Sequence, residues 1–82
     1  MRLEVEFTTE PFVGEADEAP AHAIRALSAA TEAGLTAEFG PLGTLVTGES
    51  DDIVRSIGPI VEAALQAGAS RITLQVHRAD RE

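Results

Sequence analysis

The feature that most constrains the fold of this chain is a repeated pattern, in which a helical segment ends in Ala-Gly and an alternating segment follows. The first copy ends at Ala33-Gly34 and the second at Ala67-Gly68. A glycine just past the last helical residue is typical of a helix end, because glycine tolerates the left-handed conformation. Alternation of apolar and polar residues is typical of a half-buried strand. The pattern therefore predicts two similar halves, each with a helix that leads into a strand.

Alternation predicts four strands in all, at residues 1–9, 35–39, 44–47 and 70–77. Pro20 suits the first turn of a helix that runs to residue 33. A second helix is predicted between Ser50, a candidate cap, and Gly68, with a kink at Pro59. The core-facing positions are predicted as Ala23, Ile24, Leu27, Ala30 and Thr31 in the first helix and as Ile53, Ile57, Ile60, Val61, Ala64 and Leu65 in the second.

The element order β-α-β-β-α-β predicts the fold class. It is typical of an α+β, ferredoxin-like sandwich, with two helices on one face of a four-stranded antiparallel sheet. Because both crossovers should be right-handed, the strand order is predicted as 4-1-3-2. The length and the lack of a linker predict one domain, residues 1–82.

The formal charge of −8, from 14 acidic and 6 basic residues, argues against nucleic acid and anionic membrane surfaces as partners. There is no cysteine, and no apolar run approaches the ~20 residues of a membrane span. We therefore expect a cytoplasmic protein. His22 and His77 do not have the spacing of a metal site, and His22 is expected to face solvent. No metal or cofactor is predicted.

One face of the predicted sheet is expected to lack helices, and its side chains are polar. They are Glu4, Glu6, Thr8, Thr36, Glu38, Thr73, Gln75 and His77. This face could be solvated, could form a dimer, or could bind a cationic or amine-bearing small molecule through its carboxylates and hydroxyls. No catalytic constellation is evident. An acylphosphatase-like hydrolase would need an asparagine, and the chain contains none.

Three stretches resemble the motifs of a known family. The first is Glu6-Phe7-Thr8-Thr9-Glu10-Pro11-Phe12, which is similar to the first-strand signature of the small thiamine-binding, YkoF-like proteins. The second is Pro41-Leu42-Gly43-Thr44-Leu45-Val46-Thr47-Gly48, which resembles that family's hairpin, and the third is Ala67-Gly68-Ala69-Ser70-Arg71-Ile72-Thr73, which resembles the start of its last strand. Together they cover nearly the whole chain at family-like spacing.

The resemblance implies a ferredoxin-like protein that binds thiamine or its hydroxymethylpyrimidine portion without catalysis. By matched position it implies the ligand residues Glu6, Thr8, Pro11, Phe12, Thr44, Thr47 and Thr73. This chain departs from the family pattern at two positions. Thr47 stands where the family often has an acidic residue, and Thr8 stands where serine is common. Phe12 or Phe39 could add an apolar or cation–π wall. The resemblance also implies a homodimer or homotetramer, and an interaction module whose sheet face serves only oligomerisation remains the alternative.

Overall fold

The computed structural model describes residues 1–11, 20–40 and 43–79 of the chain. The elements follow the predicted order and differ from the predicted bounds by one or two residues at most ends. They are β1 (Arg2–Glu10), α1 (Ala21–Glu32), β2 (Thr36–Gly40), β3 (Gly43–Glu49), α2 (Ser50–Gln66) and β4 (Arg71–Arg78). The peptide bond between Glu10 and Pro11, which follows β1, is cis.

The four strands form one antiparallel sheet in the order β2-β3-β1-β4. Read from the other edge, this is the predicted order 4-1-3-2, and the ferredoxin-like α+β fold is confirmed. β1 is central and pairs with both β3 and β4. The side chains of β1 are therefore held between two neighbouring strands.

The core lies between the two helices and one face of the sheet. Val5, Phe7 and Val46 supply the sheet side, while Ile53 and Ile60 of α2 supply much of the helix side. Each fully buried side chain of this size contributes about 1.5–3 kcal/mol relative to exposure. Because Val5 and Phe7 point to α1 and α2, their neighbours Glu4, Glu6 and Thr8 point to the opposite face, which neither of the two described helices covers.

The buried side of α1 differs from the predicted one. Its buried residues are His22, Ala26 and Ala30, spaced four apart along one stripe. Ile24 is 46% exposed, because it lies about 200° around the helix axis from His22. Of the predicted core stripe only Ala30 is fully buried, since Thr31 is exposed and Ala23 and Leu27 are half-buried. The small alanine side chains let α1 pack closely against its neighbours.

The expectation that His22 faces solvent is wrong. The imidazole is only 5% exposed, and its Nδ1 lies 2.7 Å from the hydroxyl oxygen of Thr9. Thr9 is also buried, near the end of β1. The pair therefore satisfies two buried polar groups and joins the end of β1 to the first turn of α1.

The helix ends were predicted in part. Gly34 and Gly68 have φ values of 85° and 108°, as expected of glycines that follow helix ends. Ser50 was predicted as the cap of α2, but the capping position is Glu49, and no side-chain hydrogen bond caps the helix. The backbone N–H of Ser50 instead donates to the carbonyl of Met1. α2 continues through Pro59, and its predicted core residue Leu65 is 48% exposed.

Neither α1 nor α2, the two helices in the described part of the chain, has the length and apolar character needed to cross a membrane.

Candidate ligand-binding face

Residues paired across an antiparallel sheet point to the same side, so the strand register arranges the helix-free face in rows. We call this side of the sheet the open face, and each of its rows runs from β2 to β4. The first row is Thr36, Thr47, Glu4 and His77, the second is Glu38, Leu45, Glu6 and Gln75, and the third is Gly40, Gly43, Thr8 and Thr73.

The first row contains a hydrogen-bonded pair. The Nε2 atom of His77 lies 2.7 Å from Oε1 of Glu4, in a partly exposed position. The Glu4 carboxylate accepts this hydrogen bond, so one of its oxygens is already occupied. Part of the hydrogen-bonding capacity of the first row is thus used within the chain.

The second row borders a cavity of about 310 Å³. Its lining residues are Glu6, Glu38, Phe39, Gly40, Gly43, Thr44 and Leu45. Leu45 lies between the two glutamates on the intervening strand, so the backbones of Glu6 and Glu38 are two strand spacings, or about 10 Å, apart. The cavity therefore has an apolar centre with a carboxylate on each side.

These two carboxylates differ from the other glutamates of the sheet. Glu4 contacts His77, Glu10 lies 3.8 Å from Arg71, and Glu49 forms ion pairs at the start of β1. Within residues 1–11, 20–40 and 43–79, the side chains of Glu6 and Glu38 have no hydrogen bond or ion pair. Their oxygens are consequently available to accept hydrogen bonds from a ligand or to oppose a positive charge.

Gly43 brings β3 close to β1 at the edge of the cavity. A β-carbon at this position would lie 2.9 Å from the carbonyl oxygen of Phe7 and 3.0 Å from Cγ2 of Thr8. Both distances are shorter than ordinary van der Waals contact, so a side chain here would require movement. The absence of side chains at Gly40 and Gly43 also leaves space above the hairpin between β2 and β3.

The residues that the family resemblance implies do not all come together. Glu6, Thr8 and Thr73 occupy adjacent positions on the open face, and Thr47 lies on the same face in the first row. Thr44 is 3% exposed and points to the helices, because it alternates with Leu45 along β3. Pro11 is exposed just after β1, and Phe12 lies outside the described residues.

Two cavity residues were missing from the implied ligand set. Alternation along β2 had placed Glu38 on the open face, but neither Glu38 nor Leu45 was assigned a ligand contact. The strand register is what identifies both residues as part of the cavity, because it pairs Glu38 with Leu45 and Leu45 with Glu6. Phe39 borders the cavity but pairs with Thr44, so its register position belongs to the helix face.

Solved structures with the same fold include a protein from Thermotoga maritima, which is described as a proposed thiamine biosynthesis or salvage protein. It is 26% identical, with a TM-score of 0.66 over 94% of this chain and 81% of that one. A Streptococcus pneumoniae protein is 21% identical, with a TM-score of 0.68 over 94% and 83% of the two chains. A domain of unknown function (DUF77) from Bacillus cereus is 18% identical, with a TM-score of 0.65 over 93% and 72%. The last two similarities concern the fold alone.

No protein with a curated description matches the sequence. The sequence model of a family described as "Thiamine-binding protein" matches residues 5–82, which include all six elements apart from the first residues of β1. The same residues contain the three motifs and the cavity of the open face. This chain belongs to the thiamine-binding protein family.

Proposed function

We propose that this protein binds thiamine or its hydroxymethylpyrimidine moiety, without catalysing a reaction, in the cavity of the open face. The observation that carries the proposal is the pair of available carboxylates, Glu6 and Glu38, on either side of Leu45. An aminopyrimidine has an apolar ring with a hydrogen-bonding edge, which suits an apolar centre with polar groups at its margin. Family membership and the description of the Thermotoga maritima protein support the same ligand class.

In this proposal Glu6 and Thr8 orient the aminopyrimidine. They lie two residues apart on β1, the strand held between β3 and β4. Glu6 accepts a hydrogen bond from the exocyclic amine, and the hydroxyl of Thr8 donates to or accepts from the ring edge. Thr73 pairs with Thr8 on β4 and adds a second hydroxyl beside it. A central strand positions such groups more precisely than a loop would.

The other implied residues have smaller roles here. Thr47 lies on the open face one row from Glu6, where its hydroxyl can contact the far end of a ligand. Pro11 follows β1 at the end nearer Thr8, and a ligand contact of Phe12 stays a prediction from the family motif. Thr44 points to the helices, so in this proposal only its backbone borders the cavity.

We also infer that the protein self-associates as a homodimer or homotetramer in the cytoplasm, with no nucleic-acid or membrane partner. The charge of −8 supports the last point. Self-association is supported by the open face, which neither described helix covers and on which the apolar side chain of Leu45 lies. The same apolar residue favours the alternative function, an interaction module whose sheet face only oligomerises.

Calorimetry with thiamine and hydroxymethylpyrimidine tests the proposal. Glu6→Gln keeps the shape of the side chain but removes its charge, which should cost about 1.5–3 kcal/mol of binding free energy, or about 10- to 100-fold in affinity. Thr8→Val should cost about 1 kcal/mol, because it removes one neutral hydrogen bond. Glu62→Gln is the matched control, since Glu62 is an exposed residue of α2, which packs on the face of the sheet opposite the cavity.

Two results would count against the assignment. If neither compound bound and neither raised the melting temperature, the sheet face would serve oligomerisation only. A ligand at about 100 times its dissociation constant should add about 2.7 kcal/mol to the free energy of unfolding. If thiamine bound to wild type and to Glu6→Gln with equal affinity, Glu6 would not be a ligand residue.

A further inference from the structure

We propose that the cavity selects ligands that carry a permanent positive charge and discriminates against their phosphate esters, with Glu38 as the residue that determines this selectivity. The proposal rests on the proposed function and narrows its ligand class. Thiamine carries a positively charged thiazolium ring, whereas hydroxymethylpyrimidine is neutral, so the two candidate ligands differ in the property that Glu38 would recognise.

The geometry gives the two carboxylates different tasks. An aminopyrimidine that donates its amine to Glu6 lies over Leu45, in the centre of the cavity. Glu38 is on the other side of Leu45, about 10 Å from Glu6 at the backbone, and one small ring cannot engage both carboxylates through the same amine. Glu38 is therefore positioned to contact the substituent of the pyrimidine ring.

Glu38 is available for this role. Within the described part of the chain its carboxylate has no hydrogen bond or ion pair, and the side chain is exposed on the edge strand β2. A carboxylate in this state gains more from a cation than one that already contacts a base, as Glu10 contacts Arg71. A substituent with a positive charge is consequently favoured at this end of the cavity, and a neutral one gains nothing from it.

Among the described residues, the cavity lining also lacks the groups that bind phosphate. None of the described lining residues is basic. Three arginines of the described residues form ion pairs with acidic side chains outside the cavity, namely Arg2, Arg55 and Arg71. Arg25 is exposed on α1, and Arg78 pairs with Leu3 on the helix face. A phosphate ester would thus meet two carboxylates without a guanidinium to offset the repulsion.

Calorimetry with three probes tests the selectivity: thiamine, hydroxymethylpyrimidine and thiamine monophosphate. Wild type should bind thiamine most tightly and the monophosphate most weakly. Glu38→Gln should weaken thiamine binding about fivefold, the value for a partly exposed charge pair, and should leave hydroxymethylpyrimidine binding unchanged. Glu38→Arg should reverse the order of thiamine and its monophosphate, and Glu62→Gln should match wild type.

The outcomes separate this proposal from the one it rests on. If wild type bound none of the three probes, both proposals would fail. If thiamine and hydroxymethylpyrimidine bound equally, or if Glu38→Gln weakened both alike, selection by charge would be refuted while ligand binding stood. Unchanged melting temperatures of the Glu38 variants would show that the affinities report on the cavity and not on folding.

Discussion

Gly43→Ala should destabilise the protein and weaken ligand binding, although it adds a single methyl group. The new β-carbon would lie 2.9 Å from the carbonyl oxygen of Phe7 and 3.0 Å from Cγ2 of Thr8. The Phe7 carbonyl belongs to the central strand β1, which is fixed on both sides by β3 and β4 and cannot move away alone. The start of β3 must shift instead. Overpacking of this kind costs about 1–3 kcal/mol.

Two other glycines supply the controls. Among the described residues that are not its chain neighbours, an alanine β-carbon at Gly40 would meet the carbonyl oxygen of Gly43, at 3.5 Å, which is an ordinary contact. At Gly58 it would meet no described atom within 4 Å apart from its chain neighbours and the backbone of its own helix. Alanine is favoured over glycine inside a helix by about 0.5–1 kcal/mol, but Pro59 follows Gly58 and crowds a β-carbon on the preceding residue, so the net change in the free energy of unfolding should be small.

The assay is thermal and denaturant unfolding followed by circular dichroism, with thiamine titrations of each variant. In a domain of this size 1 kcal/mol corresponds to about 4–8 °C in melting temperature. Gly43→Ala should therefore melt well below wild type, whereas Gly40→Ala and Gly58→Ala should melt near it. Equal melting temperatures for Gly43→Ala and Gly40→Ala would refute the argument that the close approach of β3 to β1 requires glycine.

Three further predictions concern the core, the charge of the site and the assembly. His22→Leu should cost about 1–3 kcal/mol in the free energy of unfolding, because it leaves the buried hydroxyl of Thr9 without its partner, and Thr9→Val in the same chain should recover part of that loss in a double-mutant cycle. Added salt should weaken thiamine binding and leave hydroxymethylpyrimidine binding unchanged, since it screens the exposed Glu38; equal salt dependence in calorimetry would contradict this. Light scattering at micromolar concentration with thiamine present should give a mass above 8.6 kDa, and a monomer mass under that condition would remove the inference of self-association.

The sheet was predictable from the sequence because alternation is strict where one face is buried. Leu3, Val5 and Phe7 alternate with charged or hydroxyl-bearing residues, so the face that each side chain occupies follows directly. The helix faces were harder to predict, because α1 is rich in alanine and its few large residues do not define its buried side. Ile24 suggested the wrong side of the helix. His22 is buried against Thr9, which lies 13 residues earlier in the chain, and helical periodicity contains no information on such a contact.

The candidate site was predictable only strand by strand. Alternation placed Glu6, Thr8 and Thr73 on the open face. The family motifs assigned both Thr44 and Thr47 to the ligand. Side chains alternate along β3, however, so an even-numbered position such as 44 and an odd-numbered one such as 47 face opposite sides of the sheet. The pairing of Glu6 with Glu38 across Leu45 depends on the register of two separate strand pairs. The sequence pattern of any one strand does not contain that information.

The cavity also constrains how the chain can self-associate. If two copies paired symmetrically through their open faces, Glu6 and Glu38 of each copy would be buried near the same groups of the other. Burying carboxylates without partners costs several kcal/mol each, which the apolar contact of two Leu45 side chains cannot offset. A cation in each cavity would remove much of this cost, so assembly through the open face would be coupled to ligand binding. The mass from light scattering should then rise when thiamine is added and should respond less in Glu38→Gln. A mass that is independent of thiamine would instead assign the interface to a sheet edge or to the helices, with the cavity left open to solvent.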